Sequence, residues 1–314
     1  MTVEWSPDGH LDLESPVMIV AFEGWNDAAD VATGTIEHLA LNWEARQIAE
    51  IGGDEFFDYL DQRPVVRHSG GVSRSVEWPR IVVSACRPDG VVNDVLLVRG
   101  PEPAMRWRRF ASDFVDLVDT LGVTQVVLLG AYLGDVPHTR PVPLTGATFS
   151  RQRMVEMEVE ASDYEGPSGM TGVLQQLLTE AGVPTVSLWA GVPHYVASPP
   201  NPRGTEAMLS WLSQHLGLAV PMDALRLQAK TWVQRVDDAA GEDDDLRDYI
   251  RALEERMDED SGITVGQDPE PDRGRASGGE AMPLVDGDAI AAEFEKFLRG
   301  DGDEHDESGR SGGP

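Results

Sequence analysis

Short apolar runs recur along the first 220 residues, separated by stretches of helical periodicity. Each run is rich in β-branched residues and nearly continuously apolar, which is typical of strands covered on both faces of a sheet. The runs are Val17–Phe22, Gln47–Ile51, Ile81–Ala85, Val95–Val98, Val126–Leu129 and Thr185–Trp189. Strands that alternate with helices favour an α/β fold with a mainly parallel sheet.

Amphipathic helices are predicted between several of these runs. One helix is expected to open at Asn26, a residue type that caps helix N-termini, and a second around Pro103. Apolar residues at helical spacing over 173–181 and 205–216 predict two more.

Residues 64–78 depart from the alternation of strands and helices. Pro64–His68 and Val72–Trp78 flank Ser69-Gly70-Gly71, which is a β-hairpin signal. Val72, Val76 and Trp78 are separated by even numbers of residues, so they share one face of the predicted hairpin. A projecting hairpin needs cover for its apolar side, and a second subunit is one source of that cover.

The strand pattern stops after Pro221. Apolar residues at helical spacing predict two helices, one from Leu225 to Val236 and one from Leu246 to Met257. The expected organisation is therefore an α/β core over 1–220 with a hairpin at about 64–78, and a helical pair over 221–260 that is long enough to pack across the core. A disordered linker over 261–285, a short amphipathic helix over 286–299 and a disordered acidic tail over 300–314 complete it.

Charge excludes several functions. The 314 residues carry 55 acids and 25 bases, a net charge of −30, which excludes a general nucleic-acid binder because phosphate recognition needs basic surface. Only Lys230 and Lys296 are lysines, which argues against lysine chemistry in the core.

The single cysteine permits no internal disulfide. Neither a long apolar segment nor a signal pattern is present. We expect a cytoplasmic protein without membrane attachment.

Polar residues follow several of the predicted strands. In parallel α/β sheets, ligands bind beyond the carboxyl ends of strands, so these loops form a candidate cleft. Gly, Pro and polar residues also serve any tight turn, which is the alternative explanation of each loop alone. The candidate ligand-binding residues are Glu23, Asn26, Asp27, Arg99, Gly100, Glu102, Asp135, His138, Arg140, Glu165, Gly166, Ser168, His194 and Tyr195.

Specific catalytic motifs are incomplete. The Gly-x-Ser-x-Gly pattern of serine hydrolases is absent around Ser168, and the histidines lack the short spacing of metal ligands. Cys86 ends an apolar run, which favours an inert core thiol over a nucleophile. Glycine-rich phosphate loops are also missing. We therefore expect no metal and no cofactor, and the sequence leaves open whether the protein is an enzyme.

The loop motifs resemble those of the PAC2 family, named after proteasome assembly chaperone 2, and within it an uncharacterised actinobacterial branch. The motifs stand in the family's order, over about residues 15–260 and again at Phe294–Arg299. They are Phe22–Asp27, Val98–Pro103, Asp135–Pro141, Tyr164–Gly169 and Val192–Val196.

This resemblance implies a three-layer core similar to purine nucleoside phosphorylases. It also implies a hairpin used in trimer assembly and a C-terminal helical lid over a ligand cleft. Core similarity to an enzyme is not evidence of its reaction, and no catalytic residue follows from the resemblance. Proteasome-assembly proteins similar to this family dock through a C-terminal hydrophobic-Tyr-any motif. The sequence ends in Gly312-Gly313-Pro314, so docking by that route is not expected.

Three functions remain open, of which the third is a purely structural oligomer. The first, which we favour, is a non-enzymatic, chaperone-like or assembly protein that binds itself, proteasome-related proteins or other partners. The second is a binding protein or enzyme for an anionic or nucleoside-like small molecule, held in a lidded cleft at the carboxyl ends of the strands. Helix N-termini and arginines predicted at that edge suit an anion.

Overall fold

The computed structural model describes residues 3–7, 13–69, 73–88, 90–157, 159 and 165–261. The tip of the predicted hairpin at 70–72 lies outside the described residues. So do the predicted short helix at 286–299, the tail at 300–314 and all of the predicted linker except its first residue.

A mixed eight-stranded sheet forms the centre of the molecule, in the order β1-β3-β6-β7-β2-β8-β10-β9. The four middle strands β7, β2, β8 and β10 pair in parallel, while the flanking pairs are antiparallel. The strands of this sheet are β1 (Val3–Trp5), β2 (Val17–Glu23), β3 (Arg46–Gly52), β6 (Arg80–Cys86), β7 (Val95–Pro101), β8 (Gln125–Gly134), β9 (Leu144–Ala147) and β10 (Thr185–Pro193). Strands β4 (Val65–Ser69) and β5 (Ser73–Glu77) form a separate two-stranded sheet.

Helices cover both faces of the large sheet. They are α1 (Val31–Asn42), α2 (Trp107–Thr120), α3 (Arg151–Glu156), α4 (Met170–Glu180), α5 (Pro202–Leu216), α6 (Asp223–Gly241) and α7 (Asp244–Ser261), with short 3-10 turns at Ala28–Asp30 and His194–Val196. The predicted α/β class with a mainly parallel centre and three layers is confirmed.

Strand β2 shows how the sequence builds these layers. Successive side chains of a strand point to opposite faces, so Met18, Val20 and Phe22 pack with α2 and α4, while Ile19 and Ala21 pack with α1 and α5. All five side chains are buried, which is why the run reads as continuously apolar.

The first helix begins later than expected. We predicted that it opens at Asn26, whereas α1 begins at Val31 after the 3-10 turn at Ala28–Asp30. Ala29 and Asp30 both have positive φ angles, and such residues interrupt an α-helix. The pattern also missed β1 and β9, two strands of three and four residues at the ends of the sheet.

The C-terminal helices α6 and α7 pack against each other and against the loop after β10. Val236, Leu246 and Leu253 of the two helices are buried in one apolar cluster with Tyr195 and Val196. Helix α6 also packs on α5, so the pair sits beside the carboxyl ends of the parallel strands. None of the helices in the described part of the chain has the length and apolar character that a membrane span requires.

Candidate functional site

The predicted site residues lie in loops and strand ends at the carboxyl edge of β7, β2, β8 and β10. The structure brings half of them into two groups. The Glu102 group contains Asn26, Glu102 and the N-terminus of α4, and the His138 group joins the loops after β8 and β10 to the helix pair. Glu165, Gly166 and Ser168 are exposed in the loop before α4.

Glu102 holds the Glu102 group together. Its Oε1 atom accepts a hydrogen bond from Asn26 Nδ2 at 3.0 Å and one from the backbone N–H of Met170 at 2.6 Å. A Cβ on Gly169 would lie 1.8 Å from Asn26 Nδ2, so only glycine fits there. Burial raises the pKa of Glu102, and the two hydrogen bonds act against that rise. Glu102 thus caps α4 from a distant loop.

Asp27 caps the neighbouring helix. Its carboxylate accepts hydrogen bonds from the backbone N–H groups of Ala32, at 2.7 Å, and Thr33, at 3.2 Å, and from the Thr33 hydroxyl. Burial raises the pKa of Asp27 to about 6, against the effect of these bonds. The cap of α1 is therefore Asp27, not Asn26, and it fills the helix N-terminus that an anion was expected to occupy.

The remaining residues of this half of the edge have structural contacts. The Arg99 guanidinium pairs with Glu37 on α1. A Cβ on Gly100 would lie 2.4 Å from the backbone oxygen of Arg80, so glycine permits the close approach of β6 to β7. The side chain of Glu23 is exposed, and its backbone oxygen accepts the N–H of Glu102 at 3.2 Å.

His138 links the sheet edge to α6. The Tyr195 hydroxyl oxygen lies 2.8 Å from the backbone nitrogen of His138 and 2.8 Å from its Nδ1, and Nε2 lies 3.0 Å from Asp237 Oδ1. Because the Asp237 carboxylate can only accept, Nε2–H donates to it, and the bare Nδ1 of the neutral ring accepts the Tyr195 hydroxyl hydrogen. The imidazole is 2% exposed, and burial lowers its pKa. His138 is therefore held neutral.

Arg140 links the same loop to α7. Its Nε and Nη2 atoms donate to the Asp258 carboxylate, each at 2.8 Å, and Nη1 donates to Glu254 at 3.1 Å. Such bidentate pairing fixes the planar guanidinium in orientation. Glu254 also accepts from the Thr139 hydroxyl. The positive charge predicted for ligand binding is thus met by two acids of the chain itself.

Asp135 and His194 form a third contact with the helix pair, through Tyr249 of α7. Tyr249 donates its hydroxyl to Asp135 Oδ1 at 3.2 Å, and this oxygen lies 3.3 Å from His194 Nδ1. Burial, followed by the charge of Asp135, raises the pKa of Tyr249 to about 12. The phenol therefore stays protonated at neutral pH.

The sequence interpretation missed the partners on the helix pair. Asp237, Tyr249, Glu254 and Asp258 were not among the candidates, yet each contacts a residue that was. A signal was available, because Glu254 and Asp258 are four residues apart and so share a face of α7. The sequence does not show that this face contacts Arg140, because the residues are far apart along the chain.

Other features of the described residues limit the chemistry. They contain no group of three His, Cys, Asp or Glu side chains placed to hold a metal ion. Burial raises the pKa of Cys86 to about 12, so its thiol is not a nucleophile at neutral pH. A cavity of about 290 Å³ lies at the opposite, amino end of the strands, where Val17 and Val95 line it.

Substitution of Glu102 tests its capping role. Glu102→Ala leaves the Met170 N–H and the Asn26 amide without their acceptor, and should lower the free energy of unfolding by about 1–3 kcal/mol. Glu102→Gln keeps an acceptor oxygen, so its free energy of unfolding should fall clearly less than that of Glu102→Ala. Urea unfolding at pH 7.5 measures both values, and equal losses in the two variants would show that the hydrogen bonds are not the cause.

The pH dependence of unfolding tests the state of His138. A histidine whose pKa is lowered by folding binds its proton more readily in the unfolded chain. Its contribution to stability is complete above the unfolded pKa of about 6.5 and declines as the pH falls toward the lower folded value. Wild-type protein should therefore lose more stability between pH 7.5 and 5.5 than His138→Gln.

The titration of Asp27 does not affect the comparison between the wild type and His138→Gln. Its pKa is raised on folding, so its contribution has the opposite sign and is lost as the pH rises from 3.8 towards about 6. Because both proteins contain Asp27, that contribution cancels. Urea unfolding at several pH values gives the two profiles, and parallel profiles would contradict a neutral, buried His138.

Comparison with known proteins identifies the family of this chain. The PAC2 family model matches residues 21–240. A PAC2 family protein from Streptomyces avermitilis is 44% identical, with 74% of this chain and 99% of that chain covered and a TM-score of 0.70. A Mycobacterium tuberculosis proteasome-assembly chaperone homologue is also 44% identical, with the same coverage and a TM-score of 0.69.

An archaeal structure extends the likeness at the level of fold. Pyrococcus furiosus PbaA, an archaeal homologue of proteasome-assembly chaperone, is 17% identical with a TM-score of 0.52, and 78% of this chain and 96% of that chain are covered. No curated protein matches the chain. The family model covers more than half of the residues, and two structures share 44% identity, so the chain belongs to the PAC2 family.

Proposed function

We propose that this protein is a non-enzymatic, chaperone-like assembly factor of the cytoplasm. It associates with itself as a trimer through the β4–β5 hairpin and binds partner proteins, with proteasome subunits as the first candidates. The observation that carries the proposal is the exposed apolar face of this hairpin.

One face of the hairpin presents three large apolar side chains to solvent. Val66 and Val76 are direct cross-strand partners, 55% and 50% exposed, and Trp78 follows on the same face at 52%. Tyr59 packs against the Trp78 ring with centroids 4.9 Å apart, which extends the apolar surface. A two-stranded hairpin is marginally stable by itself, so a face of this composition is best explained by a protein that covers it.

The carboxyl edge favours binding of proteins over catalysis. Asp27 and Glu102 cap helices, and the side chains of His138 and Arg140 are hydrogen-bonded to the helix pair. The alternative function, a small-molecule site under a lid, requires α6 and α7 to leave this edge and expose His138 and Arg140. The helix pair then acts as the lid, and a ligand has to replace its carboxylates.

The relatives support the choice of partner. The Mycobacterium tuberculosis protein that is 44% identical is described as a proteasome-assembly chaperone homologue. We therefore propose the same role for this chain. The hairpin supplies the contact between subunits, which does not depend on a C-terminal docking motif.

Light scattering after size exclusion tests the trimer. The wild-type protein should have three times the 34.2 kDa mass of one chain. Val76→Asp should dissociate it, because a carboxylate buried at a subunit contact loses its hydration. Val92→Asp, at a position that is 84% exposed and outside the hairpin, is the matched control and should stay trimeric. A wild-type monomer at high concentration would refute the hairpin's role.

Assembly of proteasome subunits from the same genome tests the function. Added wild-type protein should bind the unassembled subunits and raise the rate at which complete particles form, as measured by native gel and peptidase activity. Val76→Asp should reduce both effects, and Val92→Asp should retain them. If the wild-type protein is trimeric yet neither binds the subunits nor changes the rate, the chaperone role is wrong while the trimer stands.

A further inference from the structure

A cavity of about 320 Å³ lies between α5 and α6, outside the sites described above. That volume falls within the range of small-molecule pockets. Two lining residues lie on α5, namely Arg203 and Glu206. Four lie on α6: Arg226, Ala229, Lys230 and Val233. We refer to it as the α5–α6 pocket.

Positive charge is concentrated in this pocket. Three of its lining side chains are cations and one, Glu206, is an anion, in a chain whose net charge is −30. Lys230 is one of two lysines in the entire sequence. Basic residues are scarce in this chain. With three of them in one cavity, the cavity has the opposite sign of charge to the chain as a whole.

The cations of the pocket are only partly neutralised. Arg226 Nε lies 3.5 Å from Glu206 Oε1, and Nη1 lies 3.8 Å from Asp223 Oδ1, both at the long end for ion pairs. In the part of the chain that the structure describes, Lys230 has no carboxylate within 4.0 Å. Arg203 donates from Nη2 to the Arg140 backbone oxygen at 2.7 Å, a neutral acceptor that leaves its charge uncompensated.

We infer that the α5–α6 pocket binds a small organic dianion, a phosphorylated or dicarboxylated metabolite. Guanidinium and ammonium groups are the donors that bind phosphate and carboxylate oxygens. Ala229 and Val233 add apolar lining against which a short carbon skeleton can pack. This contrasts with the carboxyl edge, where the chain's own acids already occupy Arg99 and Arg140.

A bound dianion would join two parts of the molecule. Arg203 lies on α5, which packs on α1 at the sheet, whereas Arg226 and Lys230 lie on α6 of the helix pair. An anion held by all three would bind α6 more firmly to the core. This inference goes beyond the assembly role and does not depend on it.

Isothermal titration calorimetry of the full-length protein tests the site. Inorganic phosphate and, separately, succinate are titrated at pH 7.5 and low ionic strength, where charge attraction is least screened. We expect saturable binding of at least one probe. Lys230→Gln and Arg226→Gln should each weaken it about tenfold, since each removes a charged hydrogen-bond donor. Arg235→Gln, an exposed position on the same helix, makes the same change in charge and should alter the affinity less than about twofold.

The two probes separate the two sources of the anion. Binding of phosphate alone identifies a phosphorylated ligand, and binding of succinate alone a dicarboxylate. Failure of both probes to bind below about 10 mM, or equal affinity in the wild type and the Lys230→Gln/Arg226→Gln double variant, would overturn the inference. Lys230 is exposed and without an ion pair in the described structure, so its variant is expected to fold. Neither negative result affects the hairpin experiments.

Discussion

Polar side chains at the carboxyl edge of the sheet require hydrogen-bond partners. The C-terminal helices supply these partners, and this determines where the helices pack. His138 is buried and Arg140 is paired with acids, so removing α6 and α7 would leave an imidazole and a guanidinium without the carboxylates that satisfy them. A buried polar group that loses its partner destabilises a protein by more than the bond adds when made. The apolar contacts of Tyr195 with Val236 and Leu253 act in the same direction.

This arrangement explains why the loops look like a ligand site in the sequence. Helix N-termini, arginines and histidines do collect at one edge, as binding sites in parallel α/β folds require. The chain then fills that edge with its own groups: Asp27 and Glu102 at two helix N-termini, and Asp237 and Asp258 on the helix pair. Loop motifs of this composition can therefore stabilise a fold as well as bind a ligand.

The apolar periodicity predicted the larger part of the fold, because burial on two faces leaves a direct mark on the sequence. The six apolar runs correspond to β2, β3, β6, β7, β8 and β10, and the spacing after Pro221 corresponds to α6 and α7. Short edge strands such as β1 and β9 leave too few residues for a pattern. The side-chain partners were not predictable, since Asp237 is 99 residues from His138 and Asp258 is 118 residues from Arg140.

The net charge of −30 conceals two opposite local environments on the C-terminal helices. From Asp237 onward, acids outnumber bases about three to one, and Glu254 and Asp258 use that charge to hold Arg140. Earlier on α6, Arg226 and Lys230 face α5 across a cavity that also contains Arg203. Helix α6 thus meets the core through a carboxylate at one end and through cations at the other. Because like charges at the cation end repel each other, an anion that enters there should stabilise the contact between α6 and α5.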